Sequence, residues 1–138
     1  GLQAIGADTR VGGKYLKYGY GYGGPCLPRD NRAFAAYAEK LGLEYNLGAT
    51  TDNFNDEHAR FLVNYFVSKN VEKLPFSFQS VAYKKGTDIL TESQQYRLCK
   101  DLLDLGYKIY VMEDQIKSQV DERISFETPK EAVYWIDL

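Results

Sequence analysis

The 138-residue chain has one histidine, one tryptophan, one methionine and only two cysteines. A cysteine peptidase needs a histidine base and an orienting Asn or Asp. The one histidine, His58, sits among aromatics on a helical pattern and reads as a packed or surface side chain. Two cysteines and one histidine show no metal-ligand spacing, so no metal is expected. Cys26 and Cys99 lie far apart and make no disulfide framework, which points to a reducing, cytoplasmic setting. The net charge of −2 argues against a generally basic nucleic-acid binder. No apolar run approaches the roughly 18 residues of a membrane span, and Gly1 to Arg10 lacks the basic start and apolar block of a signal peptide.

What the chain does have is concentrated early. Lys17-Tyr18-Gly19-Tyr20-Gly21-Tyr22-Gly23-Gly24-Pro25-Cys26-Leu27-Pro28-Arg29-Asp30 packs glycines, tyrosines, two prolines and a cysteine into one loop. Its glycines let backbone approach a ligand closely. Pro28 suits the first turn of a helix, and the run Phe34, Tyr37, Ala38, Leu41 continues one, so Cys26 is expected at a helix N-terminus. The dipole there, with Arg29 and Arg32 beside it, favours a nucleophilic thiolate. Residues 1–32 carry a local charge of +3 against −5 for the rest, which suits an anionic, sugar-like or nucleotide-like ligand. Gly19 to Gly24 formally satisfies the dinucleotide fingerprint G-x-G-x-x-G. It is rejected as one, because no apolar strand precedes it and Pro25-Cys26 interrupts the exit. Asp30 is expected either to stabilise the first helical turn or to assist a water beside Cys26.

The remaining pattern predicts a fold of α plus α/β type: a helical segment over 1–70, then a partial Rossmann-like βαβ unit over 71–138. Leu2 to Gly6 resembles the last turns of a longer helix, and a two- or three-stranded sheet has bare edges, so truncation from a longer protein is expected. Helices are predicted over 28–41 and from an Asp52 cap to about 70, the latter with Phe54, His58, Phe61, Leu62, Tyr65 and Phe66 on one face. Strands are expected over 76–83 and 107–112, and a third from Tyr134. Thr91-Glu92-Ser93-Gln94 reads as a capping box before a helix that buries Tyr96, Cys99, Leu102 and Leu103. Asp121 to Phe126 is weakly strand-like, and Thr128 to Ala132 opens a short helix. Lys84, after Tyr83, falls at the carboxyl end of the first predicted strand, where open α/β sheets bind ligands. Cys99 reads as core.

These residues resemble a known family. Gly19 to Asp30 is similar to the catalytic-cysteine motif of the UDP-glucose/GDP-mannose dehydrogenases, which usually carry Lys where Arg29 stands. Asp8 to Lys17 resembles the segment before that motif, and Val81 to Asp88 with Glu92-Ser93 resembles the start of the family's C-terminal nucleotide-sugar domain. The resemblance implies the later part of a helical, dimerising central domain followed by part of that C-terminal domain. It implies NAD-dependent oxidation of a nucleotide-sugar 6-hydroxyl, that of UDP-glucose, to a carboxylate. Cys26 is then the nucleophile that forms a thiohemiacetal and a thioester, and Asp30 the residue assisting water. Arg10, Lys17, Tyr18, Gly19, Tyr20, Gly21, Tyr22, Gly23, Tyr83 and Lys84 would contact substrate, with Arg10 reaching that of a partner subunit. Cys26, Leu27, Pro28 and Arg29 would border the nicotinamide. Thr91 stands where the family commonly has an arginine contacting the cofactor. The 138 residues alone are expected not to turn over. The rival readings are a non-catalytic dimerisation and nucleotide-sugar-binding fragment or degenerate paralogue, and a GDP-mannose dehydrogenase.

Overall fold

The computed structural model describes residues 1–138. The chain runs α1 (Leu2–Gly6), α2 (Leu27–Lys40), α3 (Leu47–Lys69), β1 (Phe76–Phe78), α4 (Gln94–Asp104), β2 (Ile109–Val111), a 3-10 turn (Lys117–Gln119) and β3 (Tyr134–Ile136).

Helices α2 and α3 form an antiparallel-style hairpin joined by a short connection, and polar side chains rather than grease set their crossing. Asn46 caps α3 by accepting the Ala49 N–H at 3.1 Å, while its amide donates to the Ala35 carbonyl of α2 at 2.8 Å. The Asn31 amide donates back to the Gly48 carbonyl at 2.8 Å. A Cβ on buried Gly48 would lie 3.0 Å from the Ala35 backbone and side chain, so the helices touch there. Helix α2 ends in a Schellman motif: Leu43 N–H donates to Ala38 O and Gly42 N–H to Glu39 O, with Gly42 at φ +68°. The same pair of bonds closes α4, from Tyr107 to Leu102 and from Gly106 to Leu103.

Three parallel strands in the order β2–β1–β3 form the sheet, with Phe76, Ser77 and Phe78 opposite Ile109, Tyr110 and Val111 on one side and Tyr134, Trp135 and Ile136 on the other. The β1–α4–β2 passage is the expected βαβ unit. Phe76, Phe78, Ile109, Val111 and Ile136 share one core with Leu98, Cys99, Leu102 and Leu103 of α4, and with Leu62, Val63 and Phe66 of α3. The second half of α3 is therefore part of the sheet's core, and Arg97 of α4 pairs with Asp56 of α3 on its rim.

Several local expectations need correcting. Helix α3 starts at Leu47, not at Asp52, because Asn46 supplies the cap. Its buried face is Asn55, Ala59, Leu62, Val63 and Phe66; the aromatics Phe54, Phe61 and Tyr65 stay exposed. Strand β1 stops at Phe78, so Tyr83 and Lys84 lie in the loop beyond it. Ser93, not Thr91, caps α4: its Oγ accepts the Tyr96 N–H at 3.2 Å and donates to Val81 O at 2.7 Å. Gln94 is then a buried first-turn residue rather than a box partner. No helix forms at 128–132; Glu131 instead accepts from Lys108 Nζ and the Tyr110 hydroxyl. The weak strand at 121–126 reduces to a single parallel bridge, Tyr110 to Ser125, covering the outer edge of β2.

Candidate functional site

The glycine loop is held from both sides. On the α3 side, the Asn55 amide donates to Tyr22 O at 2.9 Å, and His58 Nε2 lies 2.8 Å from Gly19 O. The Tyr22 hydroxyl donates to Asp52 Oδ1 at 2.9 Å and accepts from the Asn31 amide at 3.2 Å. Partial burial, then that carboxylate partner, push the Tyr22 phenol up to about 12. On the sheet side, Gly24 N–H donates to Glu92 O at 3.2 Å. Gly24 has φ +82°, and a Cβ there would sit 2.5 Å from the Tyr83 ring. Tyr83 therefore closes on the backbone two residues before Cys26. Loop 17–22 and Thr51, Phe54, Asn55 and His58 of α3 line an open cavity of about 310 Å³.

Cys26 is exposed at the N-cap position of α2 and its side chain caps nothing, so the thiol is free. Pro28 is buried and anchors the first turn. Leu27 stays exposed beside the thiol, and Arg29 Nε donates to Asp30 Oδ1 at 2.8 Å. That bond and the Asp30 charge, with a smaller contribution from Cys26, raise the Arg29 pKa. Asp30 lies one turn below Cys26 through the Asp30 N–H to Cys26 O bond of 2.9 Å. Cys99 is the opposite kind of cysteine: fully buried, with burial pushing its thiol up to about 12.

The expected site residues thus fall into groups. Lys17, Tyr18, Gly19, Gly21 and Tyr22 line the cavity; just before Cys26, Gly23 packs against Glu92 and Gln94, and Gly24 against the Tyr83 ring. Tyr20 also borders the cavity, but most of its ring is packed against the sheet core, and burial, then the charges of Cys99 and Asp137, raise its pKa. A second hollow, of about 290 Å³, lies by the ends of β1 and β3 and is lined by Tyr20, Gln79, Ser80, Lys85 and Gln95 among others. Arg10 stands apart, exposed and doubly bonded to Asp8 through Nε at 3.0 Å and Nη2 at 2.6 Å. Lys84 is exposed in the loop after β1, its carbonyl turned into a bend with Thr87. Sequence reasoning missed the supports Asn31, Asp52, Asn55 and Glu92. The available signal was a polar residue in register with the buried apolar positions of α3, and it applies only to Asn55. No cluster of three or more His, Cys, Asp or Glu side chains is assembled that could hold a metal ion.

Residues 2–57 match the central domain of the UDP-glucose/GDP-mannose dehydrogenase family, and 76% of the chain aligns at 31% identity with the UDP-glucose 6-dehydrogenase of Haloferax volcanii, of which it covers 25%. Residues 2–57 belong to this family's central domain. The structure of a UDP-glucose dehydrogenase from Pyrobaculum islandicum superposes on 99% of the chain with a TM-score of 0.72 at 26% identity, and 31% of that protein is covered. A ternary complex of the Pseudomonas aeruginosa GDP-mannose dehydrogenase shares the fold, with a TM-score of 0.68 over 83% of this chain and 26% of that one, at 23% identity. The chain spans about a quarter of the length of the curated relatives it matches. The matched stretch of this chain contains the whole glycine loop, Cys26, Asp30 and the first part of α3.

Proposed function

We propose that this chain carries the covalent centre of an NAD-dependent nucleotide-sugar 6-dehydrogenase that converts the 6-hydroxyl of UDP-glucose to a carboxylate. The observation that carries the reading is the free, exposed Cys26 thiol at the N-terminus of α2, behind a glycine turn clamped between α3 and Tyr83. The helix N-terminus and the guanidinium of Arg29 suit an anionic ligand at this spot.

The chain's residues divide the work as follows. The loop 17–22 with its cavity takes the sugar and pyrophosphate, Lys17 giving a positive charge and the glycine backbone close approach. Exposed Leu27, on the rigid turn set by Pro28, fits the flat apolar edge of a nicotinamide, with Cys26 and Arg29 on either side. When bound there, NAD supplies the hydride acceptor. C6 gives up a hydride twice, to two NAD bound in turn: the first oxidation gives the aldehyde, to which Cys26 Sγ adds, and the second leaves an acyl group on that sulfur. Water attacks that thioester, Asp30 takes the proton, and the thiolate leaves as the carboxylate is released. Asp30 must turn from Arg29 to do so, and their exposed pairing is weak enough to allow it.

The 138 residues alone do not turn over on this reading, since the loop offers no strand–glycine turn–helix cradle for a dinucleotide. A homodimer fits the helical segment: Phe34 and Tyr37 of α2, Leu41 just after it, and Phe54, Phe61 and Tyr65 of α3 are large, apolar and exposed. The test uses the full-length protein with UDP- and GDP-sugars. Cys26→Ala should abolish formation of the uronate, and Asp30→Asn should allow an acyl adduct on Cys26 to build up, visible as a mass increase. An active Cys26→Ala protein would overturn the covalent reading, and reduction of NAD by GDP-mannose alone would overturn the choice of UDP-glucose.

A further inference from the structure

One side chain on α2 joins α3 to the loop before α4, two of the supports of the segment before Cys26. Arg32 lies on α2, six residues after the cysteine. Its Nε donates to Asp52 Oδ2 of α3 at 3.1 Å, and its Nη1 donates to Glu92 Oε1 at 2.6 Å, with Nη2 3.5 Å from Glu92 Oε2. Each of those carboxylates belongs to a residue that also grips the loop. The other oxygen of Asp52 accepts the Tyr22 hydroxyl, and the Glu92 carbonyl accepts the Gly24 N–H. Glu92 itself is held at φ +52°, a conformation that costs a non-glycine residue energy and persists only when its surroundings fix it. Its side chain has no hydrogen-bond partner other than Arg32.

We propose that Arg32 is a positioning residue that fixes the Tyr22–Cys26 segment by bridging Asp52 and Glu92, and so sets where the Cys26 thiol meets its substrate. The charge arithmetic supports a bridge rather than a pair: one guanidinium faces two carboxylates, and the planar fork satisfies both at once, which a lysine ammonium cannot do with the same geometry. The Arg32 side chain is half exposed, so its contribution to overall stability is small. Its effect is local, on the turn whose two ends it ties to α3 and to the loop before α4.

The proposal rests on the oxidation reading for its catalytic consequence but not for its structural one, and the experiment separates the two. In the full-length protein, hydrogen–deuterium exchange of the peptide covering Tyr22 to Cys26 is compared between wild type, Arg32→Gln, Arg32→Lys, Glu92→Gln and Arg32→Gln/Glu92→Gln. Arg32→Gln should speed exchange at Gly24 about tenfold while peptides from β1 and β2 are unchanged. Arg32→Lys should restore part of the protection, and the double variant should show less than the product of the two single effects. With UDP-glucose, Arg32→Gln should lower kcat about tenfold with little change in KM. Unchanged exchange at Gly24 overturns the proposal, as does a loss spread equally over the core peptides. A wild-type protein without oxidation activity whose Gly24 exchange still responds overturns the enzymatic reading and supports the bridge. An active protein in which the exchange responds and kcat does not overturns the catalytic consequence.

Discussion

Gly24→Ala tests whether the turn before Cys26 is closed by Tyr83. Two separate costs arise at this position. The backbone sits at φ +82°, where a side chain costs about 1–2 kcal/mol, partly offset by the lower entropy of an unfolded alanine. The new Cβ would also sit 2.5 Å from two Tyr83 ring atoms, Cε2 and Cζ, and 2.8 Å from Cε1. Real Cβ atoms do not approach that closely, so the ring or the turn must move, at about 1–3 kcal/mol for an overpacked site. The sum is about 2–4 kcal/mol. Gly42 separates the two costs, because it has φ +68° but nothing within 4 Å of its would-be Cβ. Gly42→Ala should therefore lose only about 1 kcal/mol. Urea unfolding of the two variants, each in the Tyr83 and Tyr83→Ala backgrounds, completes the cycle. Removing the ring should bring Gly24→Ala down to the Gly42→Ala value and leave Gly42→Ala unchanged. Equal costs for Gly24→Ala in both backgrounds would refute the contact. A cost at Gly24 no larger than at Gly42 would refute the clash.

Burial holds the Cys99 proton up to about 12, whereas the unfolded chain releases it near the ordinary thiol value. Between those values the folded state binds the extra proton, so stability falls as pH rises above about 9, by about 1.4 kcal/mol per pH unit from this group. Cys99→Ala should flatten the alkaline limb of a urea-midpoint profile by that amount; an unchanged slope would show that other groups cause it. In the same pH range, one thiol of the native chain should react with a disulfide reagent and two after unfolding, and fast labelling of both would contradict the burial of Cys99. Ser77 Oγ is wholly buried in β1 without a hydrogen-bond partner. Ser77→Ala should thus raise the unfolding free energy by about 1 kcal/mol, and a loss of that size would reveal a partner. For the homodimer proposed above, Phe61→Glu should weaken self-association of the full-length protein about tenfold in sedimentation while leaving its circular dichroism unchanged; an unaltered association constant, or a monomeric wild type, refutes a dimer through this face.

What was legible in the sequence was chemistry tied to backbone constraints. Pro28 and the following apolar run place α2, and Gly42 and Gly106 mark its end and that of α4, because these residues act through local geometry that no distant contact overrides. The face of α3 was not legible in this way. Counting apolar periodicity favours the large aromatics, and so selects Phe54, Phe61 and Tyr65. The buried side is instead chosen by its neighbours: Gly48 is small enough to let α3 close on Ala35 of α2, Asn55 bonds Tyr22 O, and Leu62, Val63 and Phe66 enter the sheet core. Periodicity cannot distinguish a face buried against a neighbour in the same chain from one kept for another surface. The same limit explains the missed supports. Asp52 looks like a helix cap when only α3 is considered, and Glu92 like part of a capping box when only α4 is. Both are released from those duties because Asn46 and Ser93 already cap their helices. A carboxylate that is not needed by its own helix is free to serve another element, and here both are drawn to Arg32, on a third helix, at the turn that carries Cys26. The loop residues were readable because their types are unusual; the side chains that hold the loop were not, because each has an ordinary local role that only the assembled structure shows to be taken by a neighbour.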